Sequence, residues 1–132
     1  MNEPIFLTLD QVLRLHGRQI ERFGGAAGVR DIKLIESAIA QPNQAFGGEY
    51  LHKSLADMAG AYLFHLVKNH GFVDGNKRVG AAAALTFLEI NGLDTDAIDE
   101  IEMEAITLAV AEGSAEKGAA TAFFHNQFKP QE

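Results

Sequence analysis

The chain has 132 residues, 47% of them hydrophobic and 22% charged, a length and balance suited to one globular core and not to a disordered tail. Its formal net charge is −7, with 18 acidic residues against 11 Lys and Arg, which opposes any wrapping of DNA or RNA polyphosphate. There is no cysteine, which excludes a disulfide framework and a thiolate metal site, and no run approaches the roughly 18 consecutive apolar residues of a membrane span.

Met1-Asn2-Glu3-Pro4 lacks the basic start and apolar stretch of a secretory leader, so a cytoplasmic protein is expected. No repeat, low-complexity tract or linker interrupts residues 1–132, which therefore read as a single domain. Thr8 followed by Gln11 has the form of a capping box. The helix it opens should carry Val12, Leu13, Ile20 and Phe23 inward and stop at Gly24-Gly25. Asp31 can cap a second helix with Ile32, Ile35 and Ile39 on one face, halted by Pro42. Residues 45–52, with Gly47-Gly48 among them, read as an irregular loop or a short hairpin, a small flap.

Ser54 caps a third helix, Leu55 to about Asn69, and a fourth runs from about Asn76 to Asn91, stopped by Gly92. Both are apolar nearly all round, as a buried helix is. They should form a central hairpin in an all-α, compact helical bundle. The polar, glycine-bearing stretch from Asn69 to Gly75 would then lie at the turn of that hairpin, on a rigid scaffold. A fifth helix is expected from about Asp99 to Glu112, with Gly113-Ser114 as a stop and a fresh cap. The last helix should carry Ala119, Ala122, Phe123 and Phe128. The acidic run from Asp94 to Glu104 reads as a solvated loop and helix start.

The turn of the hairpin has the parts of a reactive site. Gly71 and Gly75 permit positive φ, and Gly75 allows close approach of a ligand to the main chain. The helix opened by Gly75-Asn76-Lys77-Arg78 has first N–H groups without helical partners, an anion site that Lys77 and Arg78 reinforce. Arg78 can grip phosphate oxygens in a fork, and Lys77 offers a point charge. Asp74 can hold magnesium bridging phosphates, and the His70 imidazole can take a proton from a hydroxyl. Taken singly, His70 is a helix cap, Asp74 and Asn76 are turn residues, Lys77 and Arg78 are solvated charges, and Phe72 is core. Only their joint spacing points to phosphoryl or nucleotidyl transfer. A transition-metal site of His65, His70 and Asp74 fits poorly, because His65 lies five residues before His70 on a helix and shares no face with it. His16, His52 and His125 have no partners at ligand spacing.

The nine residues His70-Gly71-Phe72-Val73-Asp74-Gly75-Asn76-Lys77-Arg78 resemble the Fic motif, His-x-Phe-x-Asp/Glu-Gly-Asn-x-Arg, at His70, Phe72, Asp74, Gly75, Asn76 and Arg78. The stretch Val29-Arg30-Asp31-Ile32-Lys33-Leu34-Ile35-Glu36-Ser37-Ala38 is similar to the early helix of death-on-curing proteins, and Phe46-Gly47-Gly48 falls where they place a flap. The resemblance implies a Fic fold in which His70 activates a target hydroxyl and Phe72 anchors the loop. It also implies that Asp74 binds magnesium, that Gly75 and Asn76 hold the phosphates of ATP, and that Arg78 clamps the far phosphate.

Lys77 departs from the Gly usual in Fic enzymes that transfer AMP, and death-on-curing toxins share that Lys. Their family activity is ATP-dependent phosphorylation of elongation factor Tu on a threonine. The resemblance therefore implies the toxin of a type II toxin–antitoxin pair, a phosphotransferase that arrests translation. It would be neutralised by a small antitoxin whose disordered tail folds into a groove. Self-inhibited Fic proteins carry Ser/Thr-x-x-x-Glu-Gly/Asn. Here Thr107, Glu112 and Gly113 are spaced one residue too widely for that pattern, so inhibition is expected in trans. Two alternatives stay open: AMP transfer to a protein hydroxyl by the same loop, and a catalytically idle module that binds an antitoxin. The joint presence of His70, Asp74 and Arg78 counts against the second.

Overall fold

In a computed structural model that describes residues 3–128, four of the six helices begin at a residue whose side chain caps them. Helix α1 spans Leu9–Phe23. The Thr8 hydroxyl accepts from the Gln11 N–H, and Gln11 Oε1 accepts from the Thr8 N–H at 2.8 Å, which completes the capping box. Asp31 caps α2 (Ile32–Ala40), accepting from the Lys33 N–H at 3.0 Å, and Ser54 caps α3 (Leu55–Asn69). Helix α4 (Asn76–Ile90) follows the polar turn, and Asp99 caps α5 (Glu100–Glu112) through the Ile101 and Glu102 N–H groups. Helix α6 (Lys117–Gln127) completes the bundle.

Residues 45–52 hold a short hairpin. Strands β1 (Ala45–Phe46) and β2 (Glu49–Tyr50) are antiparallel, with Ala45 opposite Tyr50 and Phe46 opposite Glu49. Gly47 and Gly48 both take positive φ, 61° and 83°, which a two-residue turn matched to strand twist requires. Its base is anchored by the Tyr50 ring, edge-on to Phe6, while Phe46 at the tip is 83% exposed.

The expected central hairpin is present. Helix α3 packs along α4 and touches α2, α5 and α6 as well, while α1 lies on α4 and α2. Tyr62, Leu63, Val67, Val79, Ala83 and Phe87 are wholly buried between these helices. The Tyr62 hydroxyl is satisfied by accepting from the Leu7 N–H at 2.9 Å, as a buried polar group must be. Two contacts depend on glycine. A Cβ on Gly60 of α3 would lie 2.5–2.8 Å from Thr121 of α6, and one on Gly80 of α4 would lie 2.8 Å from Val67. No helix among the described residues is long and apolar enough to cross a membrane.

Three expectations are corrected. Phe23 does not face inward but is 51% exposed at the end of α1. Ser114 is not the fresh cap: its hydroxyl donates to the Ala109 carbonyl, and Glu116 takes the cap position of α6 without a side-chain bond. The start of α6 thus shifts, and its buried face is Ala120 and Phe124, with Ala119 and Ala122 exposed. The acidic run lies in the loop before α5 and in its first turns. Asp99 caps the helix, and its other carboxylates are exposed, as expected.

Candidate active site

The turn from α3 to α4 is a folded object, not a slack loop. His70 ends α3 in the left-handed region at φ 51°, the one non-glycine residue with positive φ among those described. For a residue with a Cβ that conformation costs about 1–2 kcal/mol, so the surroundings must enforce it. Gly75 takes φ 80° at the other end and admits the chain into α4. Between them the Asn76 side chain closes a ring: its Oδ1 accepts from the Phe72 N–H and its Nδ2 donates to the Phe72 carbonyl, both at 3.0 Å. The Asn76 side chain is thereby committed to the loop, and what it offers an anion is its backbone N–H. Gly71 differs from expectation. It does not take positive φ; instead it is buried against Ile35, where a Cβ would strike the Ile35 side chain and stand 3.1 Å from its backbone nitrogen.

Phe72 is 2% exposed and anchors the loop as expected, but its partner was not foreseen. The His16 ring from α1 stacks on it, centroids 3.8 Å apart and planes 11° from parallel. His16 Nε2 also lies 2.6 Å from the Asp74 carbonyl oxygen. A carbonyl only accepts, so Nε2 carries the proton and donates it. His16 therefore pins both Phe72 and the backbone of Asp74.

The segment between α1 and α2 supplies a second buttress. The Arg30 and Asp31 N–H groups both donate to the Gly71 carbonyl at 2.8 and 3.0 Å, and the Val73 N–H donates to the Gly28 carbonyl at 3.1 Å. Val29 bridges Phe72 in this short antiparallel pairing. Arg30 Nε donates to the His70 carbonyl at 2.7 Å, and the Asn69 side chain donates to the Leu34 carbonyl at 2.9 Å. The glycines of residues 24–28 were legible as a helix stop. Their pairing with a loop more than 40 residues away left no local signal.

The charged groups sit on this frame. Asp74 Oδ2 accepts from the Ala26 N–H at 3.1 Å and Oδ1 from the Gly75 N–H at 2.8 Å. These bonds, aided by the Arg78 charge, hold the Asp74 carboxyl below the usual carboxylate range, so it is ionised at neutral pH. A Cβ on Gly25 would stand 2.7 Å from Asp74 Oδ2, so only glycine leaves the carboxylate in place. Arg78 lies with its guanidinium carbon 4.9 Å from the Phe23 ring centroid, and Arg22 flanks the same ring at 5.2 Å. Face contact with an aromatic ring orients a guanidinium while leaving its N–H donors free. That explains the exposure of Phe23.

Helix α4 has no side-chain cap, unlike α1, α2, α3 and α5, because Gly75 stands at its N-cap. The first N–H groups of α4 are thus left for an anion, beside the side chains of Lys77 and Arg78. Those two residues and Phe23 line a cavity of about 740 Å³, whose apolar lining includes Leu85, Met103 and Leu108. Asp96, Glu100 and Glu104 stand on its wall. The volume suits a small organic ligand with a charged end.

His65 is not brought to this site. Its ring lies within the field of His52 and Lys117, and burial with those charges pushes its pKa down to about 4. Its Nε2 and the Nδ1 of His52 are buried without a hydrogen-bond partner. His70, Asp74, Gly75, Asn76, Lys77 and Arg78, by contrast, all lie on the one turn and the helix start that follows it.

A buried helical hairpin that presents a cationic, uncapped helix start and an imidazole at its turn is the architecture of the Fic fold. The Fic/DOC family model matches residues 6–88, more than half of the chain, and the chain belongs to that family. It is 42% identical over 91 residues to Toxin Doc of Mycolicibacterium smegmatis, an alignment covering 64% of this chain and 70% of that protein. It is 30% identical over 107 residues to Protein kinase doc of Escherichia phage P1, covering 81% of this chain and 82% of that one.

Proposed function

We propose that this chain is the toxin of a toxin–antitoxin pair and acts in the cytoplasm, transferring phosphate from ATP to a threonine or serine hydroxyl of a protein. The target we assign is elongation factor Tu, whose modification arrests translation, and a small antitoxin neutralises the chain in trans. The observation that carries the reading is the start of α4, which has no side-chain cap and carries Lys77 and Arg78, two residues that also line a cavity. The kinase name of the phage P1 relative and the toxin name of the mycolicibacterial one support it, as does Lys77 in place of the glycine of AMP transferases.

Each side chain then has a task. His70 accepts the proton of the incoming hydroxyl as its oxygen bonds to the γ-phosphorus. The bond from that phosphorus to the β–γ bridging oxygen breaks, and ADP leaves with the electron pair. The α4 N–H groups and Arg78 neutralise charge on the phosphate oxygens, and Lys77 adds a cation where AMP transferases need space. The Asp74 carboxylate fits a magnesium ion: it is exposed, held ionised, and each oxygen keeps a lone pair beyond the backbone bond it accepts. Magnesium bound there with the phosphates would withdraw charge from them. His16 and Phe72 keep the loop in shape.

The test is incubation of the chain with elongation factor Tu, magnesium and ATP, followed by intact mass. The expected result is a gain of one phosphate, slowed by at least about a hundredfold with His70→Ala. A gain of AMP would overturn the choice of phosphoryl transfer, and an unchanged mass would overturn the target.

A further inference from the structure

We propose that Arg30 is a positioning residue that aims the His70 imidazole by holding the backbone on either side of it; the inference rests on His70 acting as the base. Bases that abstract a hydroxyl proton are commonly oriented by a third group bonded to the far ring nitrogen. His70 is exposed, and among the described residues no such group bonds its ring; instead its carbonyl accepts from Arg30 Nε. Its aim must therefore come from the main chain.

The main chain there is held mostly by one residue. Arg30 Nε donates to the His70 carbonyl at 2.7 Å and Nη2 reaches the Asn69 carbonyl at 3.4 Å. The backbone N–H of Arg30 donates to the Gly71 carbonyl at 2.8 Å, joined there by that of Asp31. Three successive carbonyls, of residues 69, 70 and 71, are thus taken by Arg30 and its neighbour. These carbonyls lie at and just beyond the C-terminus of α3, where helical partners run out and the dipole is negative, so a cation is favoured. A planar fork can span two carbonyls at once, which an ammonium cannot do in fixed geometry.

The consequence for His70 is geometric. Its left-handed φ of 51° turns the Cα–Cβ bond away from the line that a continued helix would set. With the flanking peptides fixed, the imidazole keeps only its side-chain torsions, which fall into a few staggered wells. Loss of the fork frees the peptide between His70 and Gly71, and the ring then samples directions that miss the hydroxyl. Arg30 is itself exposed, so its removal takes little from the core.

Arg30→Ala, Arg30→Gln and Arg30→Lys in the full chain test this with ATP, magnesium and elongation factor Tu. We expect kcat to fall about ten- to a hundredfold in Arg30→Ala with KM for ATP unchanged, and Arg30→Lys to recover only part. The second readout does not need turnover: NMR of histidine-labelled protein should give His70 couplings of one side-chain rotamer in the parent and averaged couplings in Arg30→Ala. A parental kcat in Arg30→Ala, or unchanged His70 couplings, overturns the role of Arg30. If the parent transfers nothing from ATP, the phosphotransfer reading fails, and the couplings alone decide Arg30.

Discussion

The middle and the C-terminal end of α3 are held by opposite means. At Gly60 the helix is confined by contact, since α6 comes so close that a single Cβ would lie 2.5–2.8 Å from the side chain and backbone of Thr121. At Asn69 and His70 it is confined by hydrogen bonds, with Arg30 on the exposed carbonyls and the Asn69 amide on the Leu34 carbonyl. The first restraint is buried and apolar, so it carries stability; the second is largely exposed to water, where such bonds add little net stability but fix direction. A bundle can therefore lose its aim at the turn without losing its fold, and the reverse separation is not available at Gly60.

Gly60→Ala should show the largest effect on stability. The methyl group gains about 1 kcal/mol of helix propensity but forces α6 away, for a net loss of about 1–3 kcal/mol. Urea unfolding reads this, and phosphotransfer should fall only in proportion to the folded fraction. A Gly60→Ala protein as stable as the parent would break the contrast, since it would mean that α6 is not seated on Gly60.

Gly25→Ala should show the converse. At φ 114°, with a Cβ 2.7 Å from Asp74 Oδ2, the new methyl group displaces the carboxylate. The expected result is a several-fold rise in the magnesium needed for half-maximal transfer and a stability loss of about 1 kcal/mol, no more than that of Gly60→Ala. An unchanged magnesium requirement would remove Asp74 from that role.

The smallest effect concerns a polar side chain within the packed half. His65 stays neutral in the fold, its pKa pushed down to about 4 by burial, with Lys117 and His52 adding to the shift, and His52 is lowered for the same reasons against a counteracting Asp57. The unfolded chain takes up a proton on such a residue near pH 6.5. The folded pKa being the lower, this stabilisation is complete above about pH 6.5 and is lost as pH falls toward about 4. Urea midpoints at pH 7 and pH 5 should differ in the parent and differ less in His65→Leu. Equal pH dependence in the two would show that His65 is not what makes the packed half acid-sensitive.

Much of the bundle was legible because its boundaries are written in short-range chemistry. Thr8, Asp31 and Ser54 cap the helices they were expected to cap, Asp99 caps α5 where that helix was expected to begin, and glycines stand after α1, α4 and α5. The apolar surfaces of α3 and α4 declared a buried hairpin, and with it the location of the polar turn. Where expectation failed, the deciding partner was distant. Phe23 counted as core by type, yet the guanidiniums of Arg22 and Arg78 use its face at the surface. Ser114 had the chemistry of a cap, but α6 begins at Lys117, after Ala115 has turned inward.

For the candidate site, the sequence by itself determined which residues stand together and in what order: His70, Asp74, Gly75, Asn76, Lys77 and Arg78 within nine residues, at a turn and the start of a helix whose free N–H groups follow from helix geometry alone. Only the tertiary structure decided what holds that inventory in place. His16 reaches the loop from 58 residues away and Arg30 from 40, through a stacked ring and bonds to backbone carbonyls. Every residue carries the same carbonyl, so a partner that binds it leaves no mark on the residue it binds; the contact exists only once the chain has brought the two segments together.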